Sequence, residues 1–228
     1  MKTLKISNNV IRRMPRYLRK LDELSAAGVE RISSSELGRQ LGLTPSQIRQ
    51  DFSCFGEFGQ QGYGYYLPSL RDAIASILGM DRGYKVIVMG VGNIGRALLD
   101  HFSFEEYGFH LLAAFDPDKR VIGSQTKRGI PVYDSAIVNE FCAENDVDIA
   151  VLCVPSQYAQ IAADAAVRAG VKGIWNFTNA IIELPVDSRI VKEDIYFSDS
   201  LLALEYYLAT RQDEEARRTA RLEKMDRT

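Results

Sequence analysis

The sequence predicts an α/β chain in three parts: an N-terminal winged helix-turn-helix domain over residues 1–80, a Rossmann doubly wound parallel sheet over 84–199, and a C-terminal helix with a charged tail over 200–228. Three patterns carry that prediction. Two capped amphipathic segments sit back to back around Gly42. A glycine- and tyrosine-rich stretch follows them. From Tyr84 onward, short apolar runs alternate with helical periodicity, and the first run ends in a Gly-x-Gly-x-x-Gly turn.

The first helix is expected from about Ser7 to Ala26. Its apolar positions are Tyr17, Leu18, Leu21 and Leu24, Pro15 marks a kink or the true first turn, and Gly28 stops it. Ser33 and Glu36 stand at capping-box spacing ahead of Leu37 and Leu41, which predicts a helix of about two turns closed by Gly42. Thr44 as N-cap, Pro45 at the first helical position and Gln47 as reciprocal cap open the next helix, Pro45 to Phe52, the recognition helix of a helix-turn-helix. The segment from Glu57 to Tyr66 reads as a β-hairpin turning near Gln60-Gln61-Gly62, the wing. Leu70, Ile74, Ile77 and Leu78 then mark a connecting helix, and Gly79 to Gly83 the domain boundary.

Beyond that boundary, strands are expected at Lys85–Met89, Leu111–Phe115, Ile149–Val154, Gly173–Asn176 and Ile195–Phe197. Helices are expected at Ile94–Phe102, Ser135–Glu144 and Gln157–Ala169. Ser200 to Arg211 reads as a final helix, apolar around most of its girdle. Such a helix packs either into a partner subunit or onto its own domain, and the pattern leaves both open.

Composition narrows the function classes. With 46% hydrophobic and 25% charged residues the chain is of ordinary globular composition, and it lacks the apolar run of roughly 20 residues that a membrane span requires. Its start, Met1-Lys2-Thr3-Leu4-Lys5, is not followed by an apolar stretch, so no secretory signal and a cytoplasmic location are expected. Cys54, Cys142 and Cys153 are far apart, with only His101 and His110 as company, which argues against a metal site or a disulfide framework. The net charge of −2 hides a split. Residues 1–80 hold 11 Lys+Arg against 7 Asp+Glu and the remainder 17 against 23, as expected of a nucleic-acid-binding end joined to an acidic partner domain.

The strongest chemical signal is Gly90-Val91-Gly92-Asn93-Ile94-Gly95, directly after a predicted strand and opening a predicted helix. Gly90 permits the tight turn, Gly92 lets the backbone approach a pyrophosphate, and Gly95 lets helix and strand pack closely. Asp116, 21 residues after Gly95, is placed to accept from the ribose hydroxyls, and its charge favours NAD(H) over NADP(H) although Lys119 and Arg120 lie nearby. Catalysis by such a domain needs a proton donor or acceptor beside the substrate and usually a second domain to hold it. No length remains for one, so binding without turnover is expected.

On the basic end, Ser46, Gln47, Arg49 and Gln50 are best placed to face a major groove, Arg49 suited to guanine and the glutamines to adenine. Arg12, Arg13, Arg16 and Lys20, with Ser34 or Ser35, are expected to contact phosphates.

Taken together, Tyr17-Leu18-Arg19, Ile48-Arg49-Gln50-Asp51-Phe52-Ser53-Cys54-Phe55-Gly56, Gly62-Tyr63-Gly64-Tyr65, the Gly90–Gly95 turn, Ala114-Phe115-Asp116, Val154-Pro155 and Gly173-Ile174-Trp175-Asn176-Phe177-Thr178 resemble the Rex redox-sensing transcriptional repressors of bacteria over nearly the full length. The resemblance implies a homodimer that binds palindromic operator DNA with NAD+ and releases it with NADH, its C-terminal helix exchanged between subunits. It implies that Val154, Pro155 and Asn176 border the dinucleotide, that Phe197 lies against the nicotinamide, and that Arg19 sits at the domain junction. The chain departs from the family pattern at His101 (usually tyrosine), Tyr196 (usually aspartate), Gln50 (commonly lysine) and Gln61 in the wing (usually basic), positions tied to domain coupling and DNA contact. Two rivals therefore stand beside the repressor: a small NAD-dependent oxidoreductase fused to a winged helix, and a Rex-like paralogue with a lost or altered redox response, its pocket serving another nucleotide such as coenzyme A.

Overall fold

A computed structural model describes residues 6–56, 58–60 and 63–225, with side chains through 212 apart from that of Gln60. The chain divides into two units. One takes in residues up to Gly83 together with Glu106–Phe109, the other Tyr84–Glu105 and everything from His110 onward.

In the first unit, α1 (Asn8–Ala26) starts where the Ser7 hydroxyl accepts from the Val10 N–H. It runs through Pro15 without a break. Pro15 costs the helix one hydrogen bond, but Val10, Met14, Tyr17, Leu18 and Leu21 on its buried face hold the turns on either side against the core. A short strand, β1 (Arg31–Ile32), leads to α2 (Ser34–Leu41), capped by Ser33, and α3 (Pro45–Ser53), capped by Thr44. The turn between them folds tightly onto α2 because Gly38 has no side chain: a Cβ there would sit 2.5 Å from the carbonyl oxygen of Leu43. The wing is the antiparallel pair β2 (Gly59–Gln60) and β3 (Gly64–Tyr66), in a three-stranded sheet of order β1-β3-β2. The strand β1 was not expected, since two residues carry no period. Phe52 is the hub of the core, edge-on to Tyr17, Phe58 and Tyr65. The helix α4 (Leu67–Ile77) buries Leu67, Leu70 and Ile74.

The second unit holds β4 (Tyr84–Met89), α5 (Asn93–His101), β5 (Phe109–Asp116), β6 (Val132–Asp134), α6 (Val138–Asn145), β7 (Ile149–Leu152), α7 (Ala159–Arg168), β8 (Gly173–Asn176), β9 (Val191–Asp194) and α8 (Phe197–Met225). Its six strands stand in the order β6-β5-β4-β7-β8-β9, which is the 3-2-1-4-5-6 order of a dinucleotide-binding sheet. Ile87, Ala113, Phe115, Ala150, Leu152 and Ile174 from these strands share one buried cluster with Ala159, Ala162, Ala163 and Ala166 of α7, whose small side chains let that helix lie close on the sheet.

Three expectations are corrected here. The strand β6 was missed because its three residues alternate too briefly to register. The last strand lies at Val191–Asp194, and Ile195 to Phe197 leads instead into a helix. That strand is an edge of alternating exposed and half-buried residues, so the apolar-run criterion passes over it. The charged tail is helical as far as Met225, continuous with the apolar segment before it.

Candidate dinucleotide pocket and nucleic-acid interface

Parallel strands with the order reversing between β4 and β7 leave a crevice at their C-terminal ends, and the glycine turn lies there. Gly90 has φ +100°, and a Cβ on it would fall 2.8 Å from the Cys153 carbonyl carbon and oxygen. A Cβ on Gly95 would fall 1.9 Å from the Gly90 oxygen, so neither position admits another residue without moving backbone. Gly92 differs. It is the N-cap of α5, and a Cβ there meets nothing within 4 Å. Space is open above Gly92, where a phosphate would approach the first-turn N–H groups of α5.

This space is a cavity of about 690 Å³ lined by Gly90, Gly92, Asn93, Ile94, Asp116, Val154, Pro155 and Phe197 from the sequence-based set. Pro117, Cys153, Tyr158, Phe177, Thr178, Asn179 and Ser198 complete the lining. The Asp116 carboxylate accepts from the Val91 N–H at 2.7 Å with one oxygen and from the Asp118 N–H at 2.9 Å with the other. It thereby braces the glycine turn, and each oxygen keeps a further lone pair for a ribose hydroxyl. Burial pushes the Cys153 thiol up to about 12, so it lines the floor as a protonated, apolar group. The ring of Phe197 is 61% exposed, 6.4 Å from that of Phe177, which in turn packs edge-on against Trp175 at 4.6 Å.

Asn176 does not reach the cavity surface. It is buried, donating to the Ala180 carbonyl at 2.9 Å and Asp194 at 2.7 Å and accepting from the N–H and hydroxyl of Thr178. Its amide ties the end of β8 to β9 and shapes the loop that carries Phe177 to Asn179. Val91 and Gly95 are likewise buried under the turn. Tyr158 and the adjacent Thr178 and Asn179 reach the crevice from two segments far apart in sequence, and no local spacing marks them as lining residues.

In the first unit, Ser46, Arg49 and Gln50 stand exposed on α3, and Arg12 and Arg16 on α1. The Arg49 guanidinium donates to the Ser34 hydroxyl at 3.0 Å, Arg16 reaches the Leu41 carbonyl at 3.3 Å, and Lys20 pairs with Glu23. Arg13, expected to contact phosphate, turns inward: its guanidinium grips Asp51 through two bonds of 2.6 and 2.8 Å. Gln47 turns the same way, donating to Asp51 at 2.9 Å, and the Tyr17 hydroxyl donates at 2.7 Å. Asp51 is fully buried. Burial alone would raise its pKa, but the bonds from Arg13, Tyr17 and Gln47 outweigh that and hold the carboxyl below its usual range. Burial first, then Asp51, pushes the Tyr17 phenol up. Gln61 lies outside the described residues. Arg19 is exposed on α1, His101 exposed at the end of α5, and Tyr196 half-buried ahead of α8.

Among the described residues, no cluster of His, Cys, Asp and Glu could hold a metal, and no helix is long and apolar enough to cross a membrane. A winged helix-turn-helix presenting an exposed third helix, joined to a dinucleotide-type sheet whose glycine turn opens on a cavity, defines a transcription regulator with a nucleotide-sensing domain. Two family profiles match accordingly: "Putative DNA-binding protein N-terminus" over residues 5–53 and "CoA binding domain" over residues 81–180. The redox-sensing transcriptional repressor Rex of Thermoanaerobacter pseudethanolicus is 46% identical over 91% of each chain, and that of Caldicellulosiruptor bescii 48% identical over 89% of this chain and 92% of its own. The crystal structure of RSP in complex with beta-NAD+ and operator DNA is 45% identical and superposes with a TM-score of 0.83, covering 92% of this chain and 95% of that one. RSP in complex with beta-NADH gives 41% identity and the same score, covering 92% and 98%. The chain belongs to the Rex family of redox-sensing transcriptional repressors.

Proposed function

We propose that this protein binds operator DNA through α3 and the wing while NAD+ occupies the cavity, and that NADH releases it. The observation that carries the reading is the crevice itself, where an open Gly92, a braced Asp116 and the exposed ring of Phe197 line one cavity. Gly92 and the α5 N-terminus take the pyrophosphate, Asp116 the adenosine ribose, and Phe197 the nicotinamide face, with Val154 and Pro155 also bordering the dinucleotide. On the DNA side, Ser46, Arg49 and Gln50 read the major groove, Arg12 and Arg16 meet the backbone, and Gln61 of the wing meets the minor groove. The relatives whose structures hold NAD+ with operator DNA, and NADH, support this assignment.

The protein acts as a homodimer on a palindromic site in the cytoplasm, without catalysing a reaction. Leu201, Leu202, Leu204, Tyr206, Tyr207 and Leu208 of α8 are each more than half exposed, an apolar load that insertion into a second copy would cover. Arg19, His101 and Tyr196 pass the nicotinamide state on to the DNA-binding unit. NADH shifts the dimer only by as much as it prefers the DNA-incompetent arrangement.

The decisive experiment is selection of short random duplexes by the purified protein in NAD+, followed by challenge with NADH at fixed salt. A palindromic site released by NADH is the expected result. A site that NADH leaves bound would show that the substitutions at His101 and Tyr196 have disabled the switch. The match of residues 81–180 to a coenzyme A-binding profile favours a second reading, in which that ligand takes the pocket. Titration with NADH, NAD+ and coenzyme A in parallel distinguishes the two, and hydride transfer in steady state would revive the enzyme reading.

A further inference from the structure

The turn after Asp116 holds a second carboxylate whose role the cavity alone does not explain. Asp118 takes the Arg120 guanidinium with both oxygens, at 2.6 to 3.0 Å from Nε and Nη2, and accepts the Arg120 N–H at 2.9 Å. Its own N–H donates to Asp116, so the two carboxylates share one turn. Arg120 remains 88% exposed at its side chain, so solvent access does not fix its position; Asp118 does. The Arg120 bonds also hold the Asp118 carboxyl down at about 2, fully ionised at any working pH.

An arginine just beyond the second strand of such a sheet is the group that accommodates the 2′-phosphate of NADP(H). We infer that Asp118 is a specificity residue: by sequestering Arg120 it denies the 2′-phosphate its cation, so that NADP(H) is rejected both by repulsion from Asp116 and by the engagement of Arg120. This inference rests on the dinucleotide reading of the cavity. Lys119, exposed between them, is the same in the unaltered protein and in every variant used for the test.

The test is binding of NADH and NADPH to the full-length protein, followed by quenching of its single tryptophan, Trp175, and confirmed by calorimetry. Asp118→Asn keeps an oxygen for the Arg120 N–H but loses the charge. It is expected to bind NADPH about fivefold more tightly with NADH affinity within about twofold, the size of one exposed charge-assisted contact. Adding Arg120→Ala should cancel the gain. Arg120→Ala alone should leave NADPH affinity unchanged, because the cation is already engaged. Unchanged NADPH affinity in Asp118→Asn, or weakened NADPH binding in Arg120→Ala, overturns the inference while leaving the cavity assignment intact. Failure of the unaltered protein to bind NADH overturns the cavity assignment itself.

Discussion

The two units place their functional groups by opposite means. The first holds its recognition helix with side chains: Arg13 and Tyr17 from α1 converge on Asp51 of α3, a buried carboxylate linking residues 38 and 34 positions apart. The second builds its site from backbone. Gly90 and Gly95 bring main chain to main chain, Gly92 leaves space, and Asp116, a carboxylate that lines the cavity, works first as a brace on the Val91 N–H. A side-chain clamp fixes a helix firmly but fails when one member is lost. A backbone cradle fails only where a side chain intrudes.

That difference predicts which substitutions separate stability from binding. Asp51→Ala leaves the Arg13 cation and the Tyr17 hydroxyl without their partner, and the unit should lose about 3 kcal/mol, read from urea unfolding followed by circular dichroism. A loss below about 1 kcal/mol would mean that the apolar core, not the clamp, holds α3. Gly92→Val should do the reverse. The backbone at Gly92, φ −73° and ψ −162°, is extended, and a Cβ there meets nothing within 4 Å, so the fold should lose no more than about 1 kcal/mol, the preference of an N-cap for glycine over valine. NADH affinity should fall about a hundredfold as the pyrophosphate loses its approach. Gly95→Ala must push the Gly90 carbonyl aside and should cost about 1–3 kcal/mol of stability before any binding is measured. Unchanged NADH binding in Gly92→Val would refute the placement of the pyrophosphate.

The same contrast decides what was legible in the sequence. A glycine turn is local, its spacing written in six consecutive residues, so the strand, the turn, α5 and Asp116 could be read directly. The capped helices of the first unit were legible for the same reason: Ser33 and Thr44 act on N–H groups three residues ahead. The clamp was not. Nothing in the residues around Arg13 distinguishes an arginine facing phosphate from one facing a carboxylate in another helix, and only the fold brings positions 13, 17, 47 and 51 together. Asn176 is ambiguous for a related reason: a polar residue at a strand end serves a pocket or a loop equally well, and its hydrogen bonds run to the loop and to Asp194. At the far edge, β9 alternates exposed and half-buried residues, so it carries no buried apolar run that would mark a strand.

Acid should expose the clamp as well. A carboxyl held below its ordinary range stabilises the folded state above the range of the unfolded carboxyl, and that contribution disappears as pH falls through the folded value. The stability gap between the unaltered protein and Asp51→Asn should therefore be widest above about pH 5 and close on acidification. The other carboxyls held low, Asp118 and Asp148 among them, are present in both proteins and cancel. A gap independent of pH would assign the loss to packing and not to the charge of Asp51.

The smallest effect asks whether the side-chain strategy extends from the clamp to the DNA-reading surface. Arg49 donates to the Ser34 hydroxyl at 3.0 Å, a bond between exposed groups that restrains a long side chain, which on the proposed reading faces the major groove. Ser34→Ala should weaken operator binding by about 0.5 kcal/mol, against about 1–3 kcal/mol for Arg49→Ala, and leave NADH affinity unchanged. A double variant tells orientation from direct contact. If Ser34 acts only through Arg49, removing it from the Arg49→Ala protein costs nothing more. If the loss persists there, the Ser34 hydroxyl at the start of α2 contacts phosphate in its own right, and the surface that meets DNA draws on helix N-terminal groups much as the nucleotide cavity does.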